Sequence, residues 1–429
     1  MKRDENGRGI FPEEVTKMQN RWKRIGLGLV SLGLVLGLIL TAALPTCEAV
    51  PAEEVKVGMH AAWTGPLASA GVRVCPATID CGRLLNEQGG INGVQVKVIW
   101  EDTRMEPARD ISAHKRFQRA GVVLEVVYAS TSGDAIASLS QRDAIPVIFQ
   151  GDVTLPMITQ PLKWQFSGGP GYPAYITSFV KWMTTTWTEP RPLRVGLMLA
   201  DYPGSYDIIE GLRQHASEVG VEFIGYELIP FFGTLDTSTE WLRLVEKKPD
   251  WLVDGVPGGV SLTVSIKDAQ RLEISRKGIR MAGGYPIDEA VVPTVGKDAL
   301  EGWYILRRSP TNFDTELRGM KAVFEAAKKY RGRGPGEVSG IYIDGWIAAL
   351  VGFEGIRLAI EKVGFENLSG HAVRDALASL SDFETGLIPP ITMSNEQPYY
   401  GRFYRVYQFE QAMLVPVTDW FEAAFLPEY

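Results

Sequence analysis

The sequence predicts an α/β chain of two similar lobes, each a doubly wound parallel sheet between helices. Three observations carry that expectation. Residues 55–102, VKVGMHAAWTGPLASAGVRVCPATIDCGRLLNEQGGINGVQVKVIWED, read as strand, helix, strand. The same beat runs through both halves of the chain without an obvious sequence repeat. The Gly- and Pro-rich stretch QFSGGPGYPAY interrupts it and marks a first passage between lobes.

In order, an apolar strand over 55–61 turns at Thr64-Gly65-Pro66 into a helix that ends at Gly89-Gly90, and a second strand covers 94–100. Residues 107–120 form a helix with Pro107 in its first turn and Gly121 at its end. A strand over 122–128 leads into the polar loop Ser130-Thr131-Ser132-Gly133-Asp134, then a helix, then a strand over 145–149. Beyond the interruption the order is helix 175–187, strand 194–200, loop DYPGSY, helix 208–218, strand 221–228, helix 239–247 and strand 251–256. The loop Pro257-Gly258-Gly259 opens a helix to about Arg276, and a strand over 278–283 ends at Gly284-Tyr285. Helices over 315–329, 341–360 and 371–380 follow, and the chain closes with strands over 402–410 and 413–415.

In such sheets ligands bind beyond the carboxyl ends of the strands. Thr64, Gly65 and Ser69 lie there, as do Ser130, Thr131 and Ser132, where hydroxyls and helix N-terminal amides suit an anion; each is equally placed to be an ordinary helix cap. Trp63 offers an apolar wall or a packing residue between lobes, and His60, three residues earlier, reads as a buried neutral histidine. In the second half Tyr202, Tyr206, Gly258 and Tyr285 occupy corresponding loops, with Asp254 at a strand end.

The chain of 429 residues is 45% hydrophobic and 22% charged, long enough for two domains. A formal charge of -7 with no long basic stripe excludes a nucleic-acid partner. There is no H-E-x-x-H, G-x-S-x-G, Walker or zinc-type cysteine pattern, so no catalysis and no cofactor is expected. Cys75 and Cys81 are six apart; on one helix that is about 9 Å, beyond the reach of a disulfide, unless Pro76 starts the helix and leaves Cys75 in a turn.

The T-G-P-L-A turn, the N-x-x-G-G-I-N-G helix end, the strand into Glu-Asp and the Glu106-Pro107-Ala108 helix opening resemble, in that order, the start of the branched-chain amino acid binding family of periplasmic substrate-binding proteins of ABC importers. The resemblance runs loosely from Val55 to the C-terminus. It implies two lobes joined by a three-crossing hinge near residues 168, 305 and 395, with 54–168 and 305–394 in the first lobe and 169–304 and 395–429 in the second. Gly302 to Arg307 resembles the strand that returns to the first lobe. It also implies that the Thr64 to Ser69 loop and the Ser130 to Ser132 region meet the ligand's carboxylate and ammonium, that Tyr202 or Tyr206 covers it on closure, and that an acid of the second lobe faces the ammonium. Asp254 lies at a strand end and Asp288 and Glu289 follow Tyr285, and none of the three falls cleanly on that position. The implied solute is a branched-chain or related amino acid, with amides, urea-like solutes and aromatic acids as alternatives. The implied partners are an ABC permease and its ATPase; a sensor domain with the same grip is the other reading.

Residues 25–44 carry no charge and follow Arg21, Lys23 and Arg24. That pattern fits a signal peptide cleaved near Ala49 or a retained anchor, and either sends the rest outside the cytoplasmic membrane. Cys47 invites lipidation, but Pro45 and Thr46 make a poor site for it.

Overall fold

The computed structural model describes residues 53–426 apart from Pro66 and residues 160–163. The charged cluster, the apolar run, Cys47 and the cleavage region lie outside the described residues.

The first sheet has the order β2-β1-β3-β4-β5 and is parallel throughout. Its elements are β1 (Glu54–Ala61), α1 (Ala68–Glu87), β2 (Gln95–Asp102), α2 (Pro107–Ala120), β3 (Leu124–Val127), α3 (Ser130–Asp143), β4 (Val147–Phe149), α4 (Leu155–Thr159) and β5 (Gln165–Phe166). The pleat of β1 sorts its side chains: Val55, Val57, Met59 and Ala61 join the core under α1, whereas Gly58 and His60 face α2. Pro107 opens α2 and Gly121 closes it in the left-handed conformation, φ 75°, so both bounds fall where Pro and Gly put them.

The chain then passes over residues 167–171 into α5 (Tyr172–Thr185), β6 (Leu193–Ala200), α6 (Pro203–His215), β7 (Val221–Ile229), α7 (Ser238–Glu246), β8 (Trp251–Asp254), α8 (Gly259–Arg271), β9 (Arg280–Gly283), α9 (Val292–Val295) and β10 (Tyr304–Arg307). β6 is buried along nearly its whole length: Val195, Leu197 and Leu199 face α5 and α6, and Met198 and Ala200 face α7 and α8. β10 pairs with β9, so Tyr304–Arg307 belongs to the second sheet and the return to the first lobe begins after it. The apolar letters of this strand fit either sheet; pairing with β9 decides.

α10 (Met320–Arg331), α11 (Gly340–Val363) and α12 (Gly370–Leu377) pack onto the first lobe, with α11 at the centre of its core. β11 (Phe403–Glu410) and β12 (Met413–Pro416) add an antiparallel hairpin to the second sheet, whose order is β12-β11-β10-β9-β8-β6-β7, and β13 (Phe421–Glu422) pairs with β11.

Two crossings touch. The Ser167 amide donates to the Pro398 carbonyl at 2.8 Å, and the Tyr400 amide donates to the Ser167 carbonyl at 3.1 Å. A β-carbon on Gly401 would stand 2.2 Å from the Gly168 carbonyl oxygen, so only glycine allows this approach. The third crossing threads Arg308 past them: its guanidinium donates to Asp152 at 2.7 Å and to the Gln150 carbonyl at 3.1 Å.

Candidate functional site

The strand ends of both sheets converge on a cluster of tyrosines. Tyr172, first residue of α5 and directly after the Gly-Pro-Gly passage, stands between the start of α3 in the first lobe and Tyr202 of the second. Burial above all, then the neighbouring Tyr202 and Asp152, pushes its phenol well above its ordinary pKa. Tyr202 stands edge-on to Tyr172 at 6.2 Å and stacks on Phe231 at 5.4 Å. Tyr285 lies over the Arg308 guanidinium at 4.8 Å, and a methyl group on Gly151 would sit 3.4 Å from its hydroxyl. Tyr128, at the end of β3, is buried against Gly151, and its phenol rises to about 12, chiefly through burial. The cluster therefore presents neutral phenols that donate and accept hydrogen bonds on an apolar frame.

Ser130, Thr131 and Ser132 form the first turn of α3 rather than a loop ahead of it; the helix starts from Ala129, and no side chain caps it. Their hydroxyls are thus not consumed as caps. The DYPGSY stretch is likewise partly helical. Tyr202 precedes α6, whereas Tyr206 lies within it, half exposed, with its hydroxyl donating to Asp201 at 2.7 Å.

Other expected residues sit elsewhere. Trp63 packs edge-on against Trp100 of the outer strand β2 at 5.7 Å, beside a hollow of about 430 Å³ that also includes Arg83 and Arg331. Thr64 donates its hydroxyl to Asp102 at 2.6 Å, and Gly65 adopts φ 90° in the turn. Asp254 is fully buried; one oxygen of its carboxylate accepts from the Val256 amide at 3.1 Å, and the other has no hydrogen-bond partner, within the body of the second lobe. Burial raises its pKa to about 7. Ser69 and Gly258 do meet: with Val72, Arg73, Val260 and Thr263 they line a cleft of about 530 Å³ between α1 and α8.

His60 is buried, but it is not neutral. Asp110 and Glu125 each lie 2.9 Å from one of its ring nitrogens. Burial alone would lower its pKa; the hydrogen bonds and charges of the two carboxylates outweigh it and raise the value to about 9.

Sequence reasoning missed Tyr128, Tyr172, Asp152, Arg308 and Arg73. Two signals were available: the tyrosine immediately after Gly-Pro-Gly, and the pair Arg307-Arg308 ending an apolar strand, where two charges must find buried partners.

No curated protein matches the chain. Among solved structures, a branched-chain amino acid ABC transporter protein from Thermus thermophilus with bound valine is 21% identical, with TM-score 0.78 over 87% of this chain and 97% of that one. A fatty acid ABC transporter substrate-binding protein from Thermomonospora curvata is 17% identical, with TM-score 0.75 over 86% and 93%. A solute-binding protein from R. palustris in complex with 4-hydroxybenzoate is 15% identical, with TM-score 0.72 over 88% and 99%. At these identities the likeness is one of fold. The model of the family described as periplasmic binding protein matches residues 54–412. The chain belongs to the periplasmic binding protein family, non-catalytic binders of small solutes that act outside the cytoplasmic membrane.

Proposed function

We propose that this chain captures a small organic solute between its lobes and delivers the closed form to an ABC permease, whose ATPase supplies the energy of transport. The lobes in this reading are residues 54–168 with the return segment after Arg307 up to about 394, and the remainder of the folded chain. The observation that carries it is the meeting of tyrosines from both lobes, Tyr172 edge-on to Tyr202 at 6.2 Å and Tyr285 beside Gly151 and Tyr128 of the first lobe, which brings the strand-end loops of both lobes to one point. A solute there meets polar groups at one end and tyrosine faces along its body. Closure over it excludes water and strengthens each bond.

Ser130, Thr131 and Ser132 hold the polar end, and Tyr202 rather than Tyr206 covers the solute, because only Tyr202 of the two packs on Tyr172. Tyr285 forms the opposite wall; Ser69 and Gly258 lie at the mouth. The resemblance favours a branched-chain or related amino acid, and a relative of this fold is named with bound valine. A second reading, an aromatic acid, is favoured by one observation: Asp254 faces the lobe interior and Asp288 is paired with Arg73, so neither carboxylate is free for an ammonium.

Mass spectrometry of small molecules released from the purified protein, followed by calorimetric titration with valine, leucine and 4-hydroxybenzoate, separates the two. Ser130→Ala, Thr131→Ala together are expected to weaken binding of the released solute at least about tenfold, the loss of one bond to a charged group. The ligand-free melting temperature should hardly change. Unchanged affinity in the folded variant moves the site elsewhere.

A further inference from the structure

Across the gap from the tyrosines, a second set of polar groups joins the lobes without belonging to either sheet edge. Asp288 follows β9 and is rooted in the second lobe: Ile287 beside it is fully buried, and its own Oδ1 accepts the Ala290 amide at 3.1 Å. The same Oδ1 lies 2.6 Å from Nη1 of Arg73 on α1 of the first lobe. Its Oδ2 accepts the amide of Ile341, second residue of α11, at 3.3 Å. The guanidinium is aimed before it meets the carboxylate, since its Nε donates to the Ser69 carbonyl one turn earlier at 2.8 Å. Little of either side chain is exposed: 16% of Arg73 and none of Asp288.

We propose that Arg73 and Asp288 form a closure clasp: a positioning pair that holds the two lobes together whether or not a solute is bound, and so sets how long a captured solute stays. This rests on the reading that the lobes close over a solute; the pair lies at the mouth, where Arg73 bonds the Ser69 carbonyl, and is hydrogen-bonded to none of the residues assigned to hold the polar end or to cover the solute. Three physical terms act together in the closed form: a short charge-assisted bond, screening by solvent that is reduced by burial, and a carboxylate at the positive end of the 24-residue α11. Opening separates all three at once, because α1 and α11 share the first-lobe core while Asp288 stays with the second. A single Arg bond shared between two bodies acts as a switch rather than a spring: it is made at one angle of the hinge and absent at others.

The clasp is testable without knowing the solute. In the full chain carrying Cys47→Ser, spin labels at Arg104→Cys and Leu235→Cys report the distance between the rims of the two lobes; Cys75 and Cys81 are buried and stay unlabelled. After exhaustive dialysis, the parent is expected to show a substantial short-distance population. Arg73→Ala and Asp288→Asn should each reduce the ratio of closed to open about tenfold, the effect of one charge-assisted bond, and the exchange Arg73→Asp, Asp288→Arg should recover part of it. A wholly open dialysed parent, singles indistinguishable from the parent, or an exchange no better than the singles would each overturn the clasp. A variant that simply misfolds is recognised by its melt, and the exchange then decides. Failure of the solute reading looks different: no solute in the mass spectrum, with the distances responding as expected.

Discussion

His60 shows what a single sequence conceals at the scale of one residue. Its position on a short apolar strand made burial legible. Its charge depends on Asp110 and Glu125, fifty and sixty-five residues away, which no local pattern ties to it. The network continues through Glu125 to His114, 2.9 Å away, and on to Asp143 at 3.1 Å. Both histidines are raised and Glu125 is lowered, each against the effect of burial, because the opposite charges beside them favour the charged form. Because the folded pKa of His60 lies above its ordinary 6.5, the folded state binds the proton more tightly than the unfolded state. Its stabilisation is complete below about 6.5 and is lost as the pH rises through about 9. Thermal melts should therefore fall across that window, and His60→Gln should flatten the fall while lowering the melting temperature at its acid end. A variant whose melting temperature declines as steeply as the parent's would assign the loss to other groups.

Among elements, α1 tests how far spacing can be trusted. Pro76 sits inside it, yet the helix runs unbroken from Ala68 to Glu87, and the proline removes the amide that would have bonded the Val72 carbonyl. Tertiary packing overrides the local break: Ala70, Val74, Cys75, Ala77, Cys81 and Leu84 are all buried on this helix. Cys75 and Cys81 are accordingly free thiols on one continuous helix, and burial pushes that of Cys75 up to about 12. Peptide mapping without reductant should find both unpaired, and alkylation should stay slow until the lobe unfolds, since the reactive thiolate is scarce. A linked pair would mean that α1 is broken at Pro76. Element bounds were legible where Pro and Gly fix them, as in α2. They were not at α3, where Ser and Thr look like a loop before a helix although Ala129 already starts it.

For the whole molecule, two lobes could be read from the alternation of strand and helix, because each pattern follows from burying one face of each element. The site could be read only in part. Loops at strand ends were placed by topology, whereas the partners that fill the gap, Tyr172 and Arg308, come from crossings whose path only the folded chain defines. The gap also contains opposition. Asp207 of α6 accepts the Leu155 amide at 2.9 Å, while Asp134 of α3 faces it from the first lobe, and both carboxyls are raised by burial, Asp134 further by the charge of Asp207. Asp134→Asn should therefore shift the lobes toward closure by roughly two- to fivefold, the size of a partly screened contact between charges. The spin-label distance that reports the clasp measures it; a shift toward opening would show that the carboxylate of Asp134 helps rather than hinders.

The contact of Gly401 with Gly168 has a mechanical consequence. Two strands laced by hydrogen bonds at backbone distance, with Arg308 wedged beside them, cannot shear past one another. For the closure proposed above, the movement these contacts favour is rotation about an axle of main chain. The geometry of the mouth is then a function of a single angle, so loops at the strand ends are free to diverge toward different cargoes while the machinery of opening and shutting stays the same.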